Sequence, residues 1–250
     1  MRAKLIPVLI LLLALAGCGM QTQAASPQKV VSTPSTATLC ASKTWTTSLP
    51  PQVPAGASTS STASNAIRMN MGPHMKMTAY RKPTTAEVQR AEAIVHMVTT
   101  CMAKYKDYRL ALHDGYQIFT PDVPQDVYHF ANVRNFGNAQ TIFDPTHPTA
   151  LLYKPIGKSY QLVGVMFSAP ADLTEDQLNQ LFPLGAAPWH LHVNVCLPGG
   201  DSGRTLFPAN SPFGLDGWIT TKAVCTKVGG TFVPQMFGWM VHIDAFGTEY

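Results

Sequence analysis

The sequence predicts a single α+β domain on a mostly antiparallel sheet, barrel-like or sandwich-like in its curl, with one long helix and one short one. Three observations lead there: apolar stretches of strand length separated by Pro and Gly, one long run of apolar residues at helical spacing, and helices that do not alternate with the strands. The 250 residues are 46% hydrophobic and 13% charged, a composition foreign to disordered chains and to coiled coils. There is no internal repeat, no Gly-rich phosphate-binding fingerprint and no nucleophile elbow.

The chain opens with Arg2 and Lys4, an apolar run from Leu5 to Leu15, then Ala16, Gly17 and Cys18. This is the pattern of a secretory signal over residues 1–17. Leu15-Ala16-Gly17-Cys18 resembles the bacterial lipobox, which implies cleavage before Cys18 and acylation of its thiol, with palmitate-like chains holding the protein to a membrane of the cell envelope on its extracytoplasmic side. A transmembrane anchor is the competing reading, but the run is about eleven residues, short of the roughly twenty a span requires. Two of the 18 basic residues leave with this segment, so 16 face 14 acidic ones. That balance argues against a nucleic-acid surface.

Residues 18–66 are rich in Ser, Thr, Pro and Ala and read as a tether, with Cys40 and Trp45 hinting that one stretch docks on the domain of residues 67–250. Thr84 and Glu87 have capping-box spacing ahead of a helix whose face carries Val88, Ala91, Val95, Val98, Met102, Tyr105 and Leu112, and which Gly115 ends. Thr174 and Gln177 repeat the signature before a short helix stopped by Pro183. Strands are predicted at 127–131, 150–154, 160–167, 189–197 and 237–245. Apart from Cys18, four cysteines remain in an exported chain, Cys40, Cys101, Cys196 and Cys225, and pairing of neighbouring segments favours Cys40 with Cys101 and Cys196 with Cys225.

Trp189-His190-Leu191-His192-Val193-Asn194-Val195-Cys196 carries the main chemical signal. Side chains alternate along a strand, so His190, His192, Asn194 and Cys196 are predicted on one face. Two imidazoles at i and i+2 can reach one ion. In Gly238-Trp239-Met240-Val241-His242-Ile243-Asp244 the same arithmetic groups Met240, His242 and Asp244. Convergence of the two strands would give a three-histidine site, to which His129 of Tyr128-His129-Phe130 could add a fourth ligand. Imidazole suits copper, zinc, iron and nickel alike. The competing reading is a set of histidines hydrogen-bonded within the fold. Cys196 is either a thiolate ligand or, in an exported chain, half of a disulfide. Met69, Met71, His74, Met75 and Met77 form a second candidate site, because thioethers are soft ligands that favour Cu(I). Their competing role is to fill an irregular apolar groove.

The segments Gly72-Pro73-His74-Met75, Asp114-Gly115-Tyr116, Tyr128-His129-Phe130, Trp189 to Cys196 and Phe237-Gly238-Trp239-Met240-Val241-His242 resemble those of an uncharacterised family of exported bacterial proteins. The resemblance spans residues 70–246. It implies that these segments share one domain, and it implies no activity.

Three functions follow as expectations. The first is a lipid-anchored protein that binds a transition metal, copper ahead of zinc or iron. The second is a metal-dependent enzyme using the same histidines, with Asp244 as carboxylate ligand or orienter of water. The third is an interaction lipoprotein without metal. In either metal reading the ion should leave as the imidazoles protonate, below roughly pH 6.

Overall fold

Burial of apolar side chains on both faces of one antiparallel sheet organises the protein, whose computed structural model describes residues 36–41, 46–49, 72–200, 206 and 211–247. The signal, Cys18, most of the tether, Trp45, Met69 and Met71 lie outside the described residues. The sheet runs in the order β2 (Met75–Met77), β8 (His190–Leu197), β9 (Thr231–Ile243), β7 (Ser159–Ala169), β6 (Ala150–Ile156), β4 (Tyr128–Ala131) and β3 (Gln117–Ile118). Its edges β2 and β3 do not pair with each other, so the curl stops short of a barrel. A second pairing joins β1 (Thr47–Ser48) to β5 (Ile142–Phe143).

The long helix begins as its sequence signals. In α2 (Thr85–Cys101), Thr84 Oγ1 accepts from Glu87 N–H while the Glu87 carboxylate accepts from Thr84 N–H at 2.7 Å. Those bonds hold the Glu87 carboxyl down to about 2. The helix does not continue to Gly115. It gives way to a 3-10 turn at Ala103–Lys106 and restarts as α3 (Tyr108–His113), where the Asp107 side chain caps Arg109 N–H. The buried stripe is Ala91, Ile94, Met97, Val98 and Cys101, and the expected Val88 and Leu112 are exposed. Gly115, at φ 89°, closes α3. The short helix α5 (Glu175–Leu181) has the Thr174–Gln177 box, and α4 (Val133–Asn138) and α6 (Lys222–Lys227) arise where no helix was expected.

Both expected disulfides are present, Cys40–Cys101 and Cys196–Cys225. The first ties α1 (Thr36–Ala41), within the predicted tether, to the end of α2, and Leu39 and Leu49 pack against the core there.

The main core fills one face of the sheet: α2 and α5 cover Phe130, Leu151, Tyr153, Val165, Phe167, Leu191, Trp239, Val241 and Ile243. The other face holds two smaller apolar clusters. One is Ala150, Leu152, Val163, Met166 and Met240; the other is Val195, Leu197 and Leu206 with Met236 and Phe237 against them.

Candidate metal centre

The start of β8 is fixed from outside the strand. Trp189 N–H donates to Thr78 Oγ1 at 3.0 Å and its indole N–H to Phe182 O at 3.1 Å, both buried. With Leu191 in the main core, His190 and His192 turn to the second face. Alternation then fails. Asn194 takes φ 57°, and beyond it Val195 and Leu197, not Cys196, pack beside Met236 and Phe237. Cys196 turns away into its disulfide with Cys225, beside Ile219, so the expectation that it shares the His192 face is corrected.

His242 pairs across the ladder with Met166 of β7, and His129 with Leu152 of β6. Strands β9 and β4 are separated by β7 and β6, yet His129 Nε2 lies 3.2 Å from His242 Nε2. Curling of the sheet lets the two rings meet above the strands between them. The His190 ring stands 4.9 Å from that of His242 and 5.7 Å from that of His192, centroid to centroid, and His129 and His242 are 5.1 Å apart. Four imidazoles thus form one cluster.

Two nitrogens bound to one tetrahedral ion at about 2.0–2.1 Å stand about 3.3 Å apart, and their ring centroids about 5 Å. The His129–His242 pair has that spacing. His190 and His192 meet their neighbours nearly edge to face, at 83° and 88°. Among the described residues no group of three or more His, Cys, Asp or Glu side chains is set out to hold an ion as it stands.

Burial keeps the cluster uncharged. It lowers His129 to about 4 and His190 to about 3, with repulsion from neighbouring histidines adding to the effect. His242 is pushed well below its ordinary 6.5 and His192 is lowered too, again first by burial. Burial and the neighbouring histidines dominate these shifts. A neutral imidazole is the form that coordinates metal, so protons should compete for these rings at lower pH than the sequence alone suggests. His192 Nδ1 is buried without a hydrogen-bond partner, an arrangement that costs about 1–3 kcal/mol unless something satisfies it.

The other candidates divide. His74 is 1% exposed, but its ring is engaged by carbonyl oxygens, Nε2 donating to Gly217 O at 2.8 Å and Nδ1 lying 3.3 Å from Val193 O. It ties the 211–220 segment to β8, with both ring nitrogens directed at backbone carbonyl oxygens. Met75 and Met77 lie on β2, paired directly with His192 and His190. Asp244 lies just past β9 and is exposed. Sequence reasoning missed Met166 and Met236, which reach the cluster only through strand pairing.

A cleft of about 670 Å³ lies between Glu87, Glu92 and His96 of α2, Ala186–Ala187 and the His242–Asp244 end of β9. Its lining joins Phe182 and Ile243 of the main core to His242 of the cluster.

Comparison of the chain with protein-family models, with curated proteins and with solved structures finds no match.

Proposed function

We propose that this is an exported, lipid-anchored protein that binds a transition metal, copper ahead of zinc, through His129, His190, His192 and His242. The observation that carries the reading is the 3.2 Å approach of two Nε2 atoms from strands three positions apart in the sheet, with His190 at the same focus. Two further features support it: the rings are neutral, and the orphaned His192 Nδ1 would gain a partner by ligation. Closing on an ion requires rotation of the His190 and His192 rings about their side-chain bonds. Acylation of Cys18 would hold the protein on a membrane, where its role is sequestration or delivery. The two disulfides are compatible with that compartment.

Within the same reading, turnover is the weaker branch. A two-histidine, one-carboxylate iron site needs an acid at the cluster, whereas Asp244 is exposed at the strand end. The direct test is metal content of the mature protein, secreted with Cys18→Ala and offered copper, zinc and iron in turn. Stoichiometric metal is expected, lost in His190→Ala and His242→Ala variants that keep their fold. A folded, disulfide-bonded protein that stays metal-free would leave an interaction lipoprotein with histidines serving the fold.

A further inference from the structure

The histidine cluster is bordered by sulfur in an ordered way. On the edge strand β2, Met75 pairs with His192 and Met77 with His190. On the other side of β8, Met236 of β9 pairs with His192 and Met240 with His190. Directly opposed residues share a face of the sheet, with Cβ atoms about 4.5–5.5 Å apart. Two parallel rows result, Met75–His192–Met236 and Met77–His190–Met240, each an imidazole flanked by two thioethers. A methionine side chain has three rotatable bonds and spans that spacing easily.

We propose that these rows form a Cu(I)-selective ligand set, in which His190 and His192, on the β2 side of the cluster, hold the ion together with thioethers drawn from Met75, Met77, Met236 and Met240, up to the four ligands that Cu(I) takes. The proposal rests on the histidine cluster being a transition-metal site and adds which ion and oxidation state it selects. Thioether sulfur is soft and uncharged and favours Cu(I) over Zn(II) and Cu(II). It also carries no proton, so unlike a thiol it binds without being deprotonated.

Packing alone accounts less well for the pattern. A core filler is best as Leu, Ile or Val, whose rotamers are better defined. Met75 and Met77 are only half-buried on a three-residue strand at the sheet's edge. From there they face both the histidines and the protein's surroundings, which suits the capture of an incoming ion.

The test uses the mature protein carrying Cys18→Ala, loaded with Cu(I) under ascorbate against a competing Cu(I) chelator, with Zn(II) titrated separately. The variants are Met75→Leu/Met77→Leu and Met236→Leu/Met240→Leu, near in volume and without sulfur. Each double variant is expected to lose about tenfold or more in Cu(I) affinity while Zn(II) affinity moves by no more than about threefold. The copper X-ray absorption spectrum of the parent should contain a sulfur shell beside nitrogen. A parent that binds Cu(I) through nitrogen alone, or Met→Leu variants with parental Cu(I) affinity, would overturn the proposal and leave the histidine site standing. A parent that binds neither ion would overturn both. If a double variant fails to fold, the parent's absorption spectrum decides by itself.

Discussion

Phe237 and Gly238 decide which methionine faces His192. Both have positive φ, 65° and 81°, and together they bulge β9 between the pairs His190↔Met240 and His192↔Met236. The bulge also brings the Phe237 ring edge-on to His192, 6.1 Å away, and to Phe119, 6.0 Å away. A left-handed non-glycine residue beside a candidate site is strain retained by its surroundings. Gly238 has no substitute, because a Cβ there would lie 2.5 Å from Ala169 O. Gly238→Ala should therefore cost at least about 1–3 kcal/mol in urea unfolding. Gly137→Ala, in α4 with open space around it, should be neutral or gain up to about 1 kcal/mol. Equal stabilities for the two variants would mean that the bulge does not depend on Gly238. At this scale the His-x-His signal was legible, because alternation holds from His190 to His192. It was not legible two residues further on, because nothing in the sequence announces the left-handed Asn194 that turns Cys196 away.

Elements were legible where their determinants are local. The two capping boxes act over three residues, and both helices start where Thr84 and Thr174 say. The break after Cys101 was missed although Asp107 supplies a local capping signal, because the apolar spacing continues through Met102 and Tyr105. Strand β2 has three residues, too few for any period to show, and its pairing with β8 is tertiary. The disulfides link elements of unequal embedding, and that inequality is testable. Both close loops, of 61 and 29 residues' separation, for which chain entropy alone gives roughly 4 and 3.5 kcal/mol. Yet α1 has no buried residue, so without its bridge it can detach and leave the folded core nearly intact. Cys196 and Cys225 are fully buried, joining the sheet to α6. Cys196→Ser/Cys225→Ser should thus lose about 2–5 kcal/mol, and Cys40→Ser/Cys101→Ser distinctly less. The latter should also be cut by protease within residues 36–49 while the sheet stays folded. Equal losses in urea would show instead that α1 is integral to the core.

For the molecule as a whole, the curl of the sheet concentrates four histidines beside the apolar side chains of its second face, and folding becomes linked to pH. In the metal-free protein the unfolded chain takes up protons at these histidines near their ordinary 6.5, while the folded chain refuses them until about 4 at His129 and about 3 at His190. Over that window the unfolded state binds more protons. The cluster's contribution is therefore whole above about pH 6.5 and declines as pH falls, by about 1.4 kcal/mol per unit for each histidine so linked. His147 opposes the trend: Asp144 raises it, so its contribution is present at low pH and lost as pH rises through its folded value. Glu87, held to about 2, adds its own loss only as pH falls below its ordinary 4.5. The cleanest interval is thus pH 7.5 to 4.5, measured by urea unfolding with a chelator present. The parent should lose stability steeply across it, and a His129→Gln/His190→Gln/His242→Gln variant should give a much flatter profile. Copper or zinc bound to the folded state should add stability at pH 7 and keep that increment until the folded rings take up protons, near pH 4 at His129, so metal release follows the onset of acid destabilisation. Parallel profiles for parent and variant would show that these rings exchange with water more freely than their burial implies, and the neutral, metal-ready cluster would lose its main electrostatic support.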